Sequence, residues 1–205
     1  MKVKFEELKK MNLDELLALL PIEIAEHSRR VAVCSALMTS VATSIADMPA
    51  LGNAENLAVV AHFGGLCHDI GKILGGCFEY EETYSSHPYR GVEILLQNSE
   101  ELFDAINQRQ MVLEMTRFHH ERPDGTGFPN GYTQREIPFC AAICAVADRL
   151  DNLVYAQNKQ QLTPVEVLPY FTNEIAKSFT DTAVGCLESA IGPISDFYAQ
   201  WNLEH

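Results

Sequence analysis

Two clusters of histidine and carboxylate residues constrain the fold of this chain more than any other feature. The first is His68–Lys72 (HDIGK), and the second, about fifty residues later, is His119–Pro129 (HHERPDGTGFP). The second cluster ends a helical pattern with two adjacent histidines and passes directly into a glycine-rich turn. Histidine nitrogens and carboxylate oxygens are common ligands of divalent metals. We therefore expect the fold to unite both clusters in a metal site that handles phosphate.

Apolar residues recur with a helical period along nearly the whole chain, and no strand pattern persists. This pattern predicts an all-α, single-domain helical bundle in which Thr163 caps a helix. A loop is expected at 124–138 and irregular structure at 75–86, within which 78–80 is a candidate short extended piece. The expected helices cover about residues 5–20, 21–46, 54–69, 88–96, 100–120 (one helix or two), 138–156, 165–179 and 182–201, the last interrupted near Gly192-Pro193.

The length and composition suit one compact domain, since the chain has 205 residues of which 47% are hydrophobic. We expect an N-terminal helix at 1–20, the main domain at 21–202 and a remnant of an expression tag at 203–205. No run reads as long and apolar enough to span a bilayer, and no N-terminal segment reads as a signal peptide. The sequence therefore predicts no membrane partner.

The formal net charge of -13 argues against a duplex nucleic-acid partner, which normally requires basic patches. An anionic substrate would need a local reversal of sign, which bound divalent metals would provide. The six cysteines lack CxxC spacing and lie mostly among apolar residues, so we expect reduced, buried thiols and a cytoplasmic location.

His68 and Asp69 follow the apolar stretch 59–67, so this pair is expected to be partly buried. A partly buried His-Asp pair needs a partner, and a metal ion is a good one, whereas the alternative is a solvated helix end. Lys72 lies one turn later and can bring its ammonium group to a phosphate oxygen.

Several residues outside the two clusters are further candidates. Glu23 and His27 share one face of a helix at i,i+4 spacing, although a surface pair is the alternative. His87 precedes Pro88 and is expected at a helix start, where it could instead be a cap. His62 is expected to be packed or solvent-facing.

Asp148 is a carboxylate inside an apolar helix, and a buried aspartate must be paired or bound to metal. Arg149 is the local alternative partner. Asp151 and Asn152 lie on roughly the same face as Asp148, and either could support the metal ligands from behind.

The ordered set of motifs resembles the HD-GYP branch of the HD phosphohydrolase superfamily over about residues 20–160. The matching segments are His27–Val31, His68–Lys72, His87–Gly91, His119–Glu121, Asp124–Pro129 and Asp148. The resemblance implies an all-helical bundle that binds two or three divalent metals, often iron or manganese. It further implies hydrolysis of the bacterial messenger cyclic di-GMP, with attack by a hydroxide that bridges two metals.

The resemblance also implies a role for each matching residue. Asp69 would bridge two ions and act in catalysis together with Lys72, and Glu23 matches the extra carboxylate of three-metal members. The implied metal ligands are Glu23, His27, His68, Asp69, His87, His119, His120 and Asp148. The implied substrate-binding residues are Lys72, Gly125, Gly127, Phe128, Pro129 and Lys159.

Two departures from the family pattern concern the substrate. Phe128 replaces the tyrosine of the GYP triplet, and Gln157 stands where the family usually has an arginine that helps to bind substrate, with Lys159 as a candidate replacement. These differences leave two alternatives open: an HD phosphohydrolase acting on another nucleotide, or a module that binds a nucleotide or a signalling protein domain without turnover.

Overall fold

The computed structural model describes residues 4–45, 54–74, 81–103, 106–156 and 162–204, and within these ranges the only extended pairings are two isolated bridges. The expected all-α fold is therefore confirmed. The α-helices are α1 (Leu13–Leu17), α2 (Ile22–Ile45), α3 (Ala54–Cys67), α4 (Glu81–Gln97), α5 (Ser99–Leu102), α6 (Ile106–Phe118), α7 (Phe139–Asp151), α8 (Pro164–Asn173) and α9 (Asp181–Glu204). Phe5–Leu8 and Ile70–Leu74 form 3-10 helices, and Asn152–Ala156 is a π-helical turn.

Helix α2 is the centre of the bundle, where it packs against α3, α7 and α9. The larger apolar cluster lies between α2, α7, α8 and α9 and includes Met38, Ile143 and Leu187, all fully buried. A second cluster joins the N-terminal segment to α3, α4 and α6, with Leu16, Ile70 and Ile94 at its centre. The polar site lies where the ends of these helices meet.

The predicted continuous helix over 5–20 was wrong, because a cap starts a new helix inside it. The Asn12 side chain accepts a hydrogen bond from the Glu15 backbone N–H (3.0 Å), and Glu15 accepts one from the Asn12 N–H (2.8 Å). This reciprocal capping box defines the start of α1. Lys10, in the left-handed region at φ 59°, separates it from the preceding 3-10 helix.

Two prolines that were expected to start or interrupt helices lie inside them. Helix α4 begins at Glu81 and contains Pro88, so the irregular structure expected over 75–86 was wrong from residue 81 onward. Helix α9 continues through Pro193. An internal proline loses one backbone hydrogen bond. Burial of Pro88, beside the buried His87, offsets that loss. In α9 Pro193 is itself exposed, and the burial of Ala190 and Ile194 on either side of it keeps the helix continuous.

Helix α8 is shorter than predicted, although Thr163 caps it as expected. It ends at Asn173 because the Glu174 carbonyl accepts from the Ser178 and Phe179 N–H groups, and Ala176 has φ 64°.

The loop predicted at 124–138 is confirmed. Several sequence expectations lie outside the described residues, namely those for 47–53, Cys77, residues 78–80, Gln157, Lys159 and His205.

One window, Leu57–Leu74, is long and apolar enough by composition to cross a membrane, so the expectation of no such run was wrong. Of this window, 61% is buried inside the structure. It comprises most of α3 and the following 3-10 helix, and its apolar character is that of a helix in the protein core.

Candidate metal centre

Five segments of the chain bring the predicted ligands together at one end of the bundle. Asp69 is the second residue after α3 and lies at the centre of the group. The contributing side chains are His27 from α2, His68 and Asp69 after α3, His87 from α4, His119 and His120 after α6, and Asp148 from α7. The expectation that the two sequence clusters meet is therefore confirmed.

The carboxylate of Asp69 lies between two groups of histidines. Its Oδ2 is 3.4 Å from Nε2 of His68 and 3.9 Å from Nε2 of His27. Its Oδ1 is 3.2 Å from Nε2 of His87 and 4.0 Å from Nε2 of His119. One carboxylate thus presents one oxygen to each group, so Asp69 would be able to serve as a shared ligand if an ion were held on either side.

Two sets of side chains offer ligand atoms close enough to surround an ion. In one set His27, His68 and Asp69 have ligand atoms within 4.8 Å of one another, and in the other His87, His119 and His120 do. Asp148 joins the first set, since its Oδ1 lies 3.1 Å from Nε2 of His27.

Backbone carbonyls fix the orientation of two histidines. Nδ1 of His68 lies 2.8 Å from the Gly65 carbonyl, and Nδ1 of His119 lies 3.0 Å from the Thr116 carbonyl. An Nδ1–H that donates to a carbonyl leaves Nε2 as a lone-pair donor directed at the centre, which is the usual arrangement behind a metal-binding imidazole.

The close approach of α4 also depends on a glycine. A Cβ on Gly71 would collide with the carbonyl oxygen of His87. Only glycine lets the segment after Asp69 lie against α4, and this contact brings His87 to the centre.

The electrostatics of the histidines divide them into two kinds. Burial, together with the neighbouring His120, holds the pKa of His119 well below its usual value, and burial lowers the pKa of His120 to about 4. Both are therefore neutral at pH 7, the form that binds metal. Burial alone would lower the pKa of His27, but hydrogen bonds to Asp148 and Asp151 raise it to about 10.

The acidic residues of the centre are ionised. Burial acts to raise the pKa of Asp69, but the charges of His68 and Lys72 hold it well below its usual value. Hydrogen bonding and charge from His27 lower the pKa of Asp148 in the same way, against the effect of burial. Carboxylates that stay ionised while buried are well suited to cation binding.

The residues present fit a divalent metal. Nε2 of His68 and Oδ1 of Asp69 are buried, and no well-aligned hydrogen bond from the described residues reaches either atom, although Nε2 of His87 lies 3.2 Å from that oxygen. Leaving such atoms unsatisfied is costly, and both are good metal ligands. A donor set of imidazole nitrogen and carboxylate oxygen suits iron, manganese or zinc.

A family model named HD domain matches residues 24–153, which include His27, Asp69 and Asp148. The chain belongs to the HD domain family. This match and the relatives described next also support the resemblance to the HD-GYP branch.

Three relatives of this HD domain are named for cyclic-dinucleotide hydrolysis. A cyclic di-GMP phosphodiesterase of Thermotoga maritima is 32% identical over 57% of this chain and 33% of its own length. A 3'3'-cGAMP-specific phosphodiesterase of Vibrio cholerae is 26% identical over 86% of this chain and 37% of its own. The cyclic di-GMP phosphodiesterase response regulator RpfG of Xanthomonas campestris is 32% identical over 73% of this chain and 40% of its own. The chain thus spans about a third of the length of these relatives.

A buried ion-pair network behind His27 includes residues that the sequence analysis missed. Asp151 lies 2.6 Å from Nδ1 of His27 and accepts two hydrogen bonds from Arg30 and one from the Tyr198 hydroxyl. Asn152 donates to Oδ1 of Asp148 (2.7 Å). The helical spacing from Asp148 indicated Asp151 and Asn152, but the contributions of Arg30 from α2 and Tyr198 from α9 depend on tertiary packing.

The glycine-rich loop of this HD domain is held by Glu121, another residue whose role was not predicted from the sequence. Its buried carboxylate accepts hydrogen bonds from the backbone N–H of Asn130 (2.6 Å) and Tyr132 (2.8 Å). A Cβ on Gly127 would collide with the backbone of Arg122 and Glu121, and Gly125 has φ 77°. Both glycines therefore serve the shape of the loop.

A cleft of about 460 Å³ opens beside the metal centre. Its lining includes His119, His120 and Asp148 together with the predicted substrate-binding residues Gly127 and Phe128. Phe128 stacks on the ring of His120, with centroids 4.6 Å apart.

The other predicted site residues occupy varied positions. Lys72 donates a hydrogen bond to Oδ2 of Asp69 and is partly exposed. Pro129 is half-buried in the loop, and Glu23 is exposed one turn before His27. His62, which was expected to be packed or solvent-facing, is half-buried in α3, where burial lowers its pKa.

Proposed function

We propose that this chain is a metal-dependent phosphodiesterase that hydrolyses a cyclic dinucleotide, with cyclic di-GMP as the leading candidate. The observation that carries this proposal is the Asp69 carboxylate, which presents one oxygen to the His27–His68 pair and the other to the His87–His119 pair. A bridged two-metal site is a recurrent solution to phosphodiester hydrolysis.

The proposal includes two ions, iron or manganese, held on either side of Asp69. A third ion would use Glu23, which lies one turn before His27 on the first turn of α2. When bound, the metals lower the pKa of a water molecule and neutralise charge on the phosphate. The proposed ligands are Glu23, His27, His68, Asp69, His87, His119, His120 and Asp148.

The side chains of this domain would hold the metals and stabilise charge on the phosphate. His119 and His120 are neutral at pH 7 and do not repel the metals. Lys72 is partly exposed beside Asp69, and its ammonium would donate to a non-bridging phosphate oxygen as charge develops there. In the reaction, the water oxygen bonds to phosphorus, the ribose oxygen leaves, and the proton lost by water balances the one that the alkoxide gains.

Cyclic di-GMP and 3'3'-cGAMP are the first substrates to compare, because relatives are named for each. Phe128 keeps the aromatic ring of the GYP triplet and lacks its hydroxyl. This difference favours testing other nucleotides as well.

The proposal also includes a cytoplasmic location, supported by five free, buried cysteines in the described part of the chain. A signalling protein domain remains a further proposed partner.

The deciding experiment is anaerobic reconstitution. We would load the protein with Fe(II) or Mn(II), count metal per chain, and follow the products of cyclic di-GMP and 3'3'-cGAMP by chromatography. We expect two or three ions per chain and a linear dinucleotide or mononucleotide product. Full metal occupancy without turnover of any nucleotide in the panel would overturn the enzymatic proposal and favour a binding module.

A matched pair of variants sharpens this test. Asp69→Asn removes the bridging charge and should lose metal and turnover together. His62→Gln alters a histidine of α3 outside the centre and should keep both. Turnover by Asp69→Asn protein depleted of metal would contradict the mechanism.

A further inference from the structure

Two arginines line the cleft beside the metal centre, in a chain whose net charge is -13. They are Arg149, on α7 next to Asp148, and Arg122, two residues after His120. Neither residue belongs to the proposed ligand set or to the predicted substrate-binding set. Positive groups directed into a cleft of an acidic protein indicate an anionic ligand.

The guanidinium of Arg149 packs on an aromatic ring, and the residue is half-buried. Its guanidinium lies over the ring of Tyr170, 5.1 Å from the ring centroid, and Tyr170 also lines the cleft. Its Nε is buried and has no hydrogen-bond partner among the described residues. The described ion pairs do not include one between Arg149 and Asp148, which was the alternative that the sequence suggested. Arg149 therefore has hydrogen-bonding capacity left for a ligand.

Arg122 approaches the cleft from the glycine-rich loop. Its Nη2 donates to the Ser178 hydroxyl (2.5 Å), which fixes the side chain, and its Nε is buried without a hydrogen bond from the described residues. The nearest carboxylate is Asp124, whose Oδ1 lies 3.9 Å away and already accepts from Thr126. The Glu121 carboxylate is occupied by two backbone N–H groups. Among the described residues Arg122 therefore has one long ion pair, with Asp124, and no shorter one.

We propose that Arg149 and Arg122 form an anion subsite that binds the phosphate of the substrate that is not being hydrolysed. This inference rests on the proposed function, because a cyclic dinucleotide carries two phosphates and only one can lie at the metals. A guanidinium group binds phosphate through paired hydrogen bonds of defined geometry. The subsite would select substrates with a second phosphate over simple phosphodiesters.

The test compares two substrates in the Mn(II)-loaded protein. Cyclic di-GMP has a second phosphate, whereas bis(p-nitrophenyl) phosphate has only the reacting one. Arg149→Met removes the cation and keeps much of the side-chain length, and Arg149→Lys keeps the charge. Arg29→Met is the matched control, because Arg29 is exposed on α2 and does not line the cleft. Affinity is measured separately by calorimetry with the bis-phosphorothioate analogue of cyclic di-GMP.

We expect Arg149→Met to weaken binding of the analogue by about 10- to 100-fold, the loss typical of a charge-assisted hydrogen bond. The KM for cyclic di-GMP should rise in parallel, turnover of bis(p-nitrophenyl) phosphate should stay within about twofold of wild type, and Arg149→Lys should recover part of the affinity. Unchanged affinity in Arg149→Met would overturn the subsite. An equal loss with both substrates would also overturn it, since that result indicates a structural role.

The binding measurement separates this inference from the proposed function. If wild-type protein binds the analogue, Arg149→Met weakens that binding, and wild-type protein hydrolyses neither substrate, the subsite is supported and the enzymatic proposal is overturned. Wild-type protein that hydrolyses bis(p-nitrophenyl) phosphate but does not bind the analogue would leave the phosphodiesterase chemistry standing and overturn the subsite.

Discussion

Nδ1 of His27 lies 2.6 Å from Oδ2 of Asp151, while its Nε2 lies 3.1 Å from Oδ1 of Asp148. Asp151 therefore contacts the ring nitrogen of His27 that faces away from Asp148. The carboxylate of Asp151 in turn accepts hydrogen bonds from Arg30 and Tyr198. A carboxylate on the far nitrogen of a metal-binding imidazole orients the ring and strengthens it as a ligand. The metal centre is thereby connected to α9.

Replacing Asp151 should weaken metal binding without removing a ligand. We expect Asp151→Asn to lower metal affinity by about 10- to 100-fold, because His27 loses the charge that orients it. Buried Arg30 also loses its charged partner, so the melting temperature should fall. Metal titration and thermal unfolding measure the two effects. Tyr198→Phe is the control: it removes one hydrogen bond to Asp151, worth about 1 kcal/mol, and should leave metal affinity nearly unchanged.

Removing one ligand from each side of Asp69 should distinguish the two ions. We expect His68→Ala and His119→Ala each to retain one ion of a two-metal centre, whereas Asp69→Ala should lose both. Turnover of a cyclic dinucleotide should fall by more than about 100-fold in all three, because both ions are required. Elemental analysis of metal per chain checks the prediction. Equal metal loss in the three variants would contradict the division into two groups.

The sequence predicted the all-α class, the loop at 124–138 and the convergence of the two histidine clusters, because these follow from periodicity and motif order. It did not predict the internal break near Lys10 or the helices that continue through Pro88 and Pro193. The break near Lys10 depends on the local capping box of α1. The two helices continue because the burial of neighbouring side chains outweighs the backbone hydrogen bond that each proline removes.

Within the site, the residues with characteristic motifs were identified, and those whose roles depend on packing were not. Arg30 and Tyr198 are remote from the motifs along the chain and meet Asp151 only when α2, α7 and α9 pack together. Glu121 was visible as part of HHE, but its role in holding the loop depends on backbone groups nine and eleven residues later. Such contacts leave no periodic signal in a single sequence.

The glycine-rich loop should tolerate no side chain at position 127. In Gly127→Ala the added methyl group collides with the backbone of Arg122 and Glu121, which should cost about 1–3 kcal/mol and displace the cleft wall. We expect a higher KM for the dinucleotide with an unchanged metal count. Gly185→Ala in α9 is the control, since open space surrounds that position, and it should stabilise the protein by about 0.5–1 kcal/mol. An unchanged KM in Gly127→Ala would show that the loop does not shape the substrate site.

The buried thiols should resist modification in the native protein. Burial raises the pKa of Cys34 and of Cys140 to about 12, and that of Cys186 to about 11. At pH 8 the thiolate fraction at pKa 12 is about one in ten thousand, and the thiolate is the reactive form. Because five of the six cysteines are free and buried, we expect at most one fast equivalent per chain with a disulfide reagent at pH 8, and six after denaturation. Two or more fast equivalents would show that the core opens readily.

Phe128 tests what the missing hydroxyl of the GYP triplet means for this chain. Its ring stacks on His120 at 4.6 Å and lines the cleft, so the ring has a packing role that does not depend on the hydroxyl. We expect Phe128→Tyr to keep the stack and the metal count, and Phe128→Ala to lose the stack, which is worth about 0.5–1.5 kcal/mol. The measurement is kcat and KM for cyclic di-GMP and 3'3'-cGAMP in the Mn(II)-loaded variants. A gain for one dinucleotide alone in Phe128→Tyr would show that the hydroxyl selects between substrates. Equal values for wild type and Phe128→Tyr with both would show that the ring alone is what the site requires.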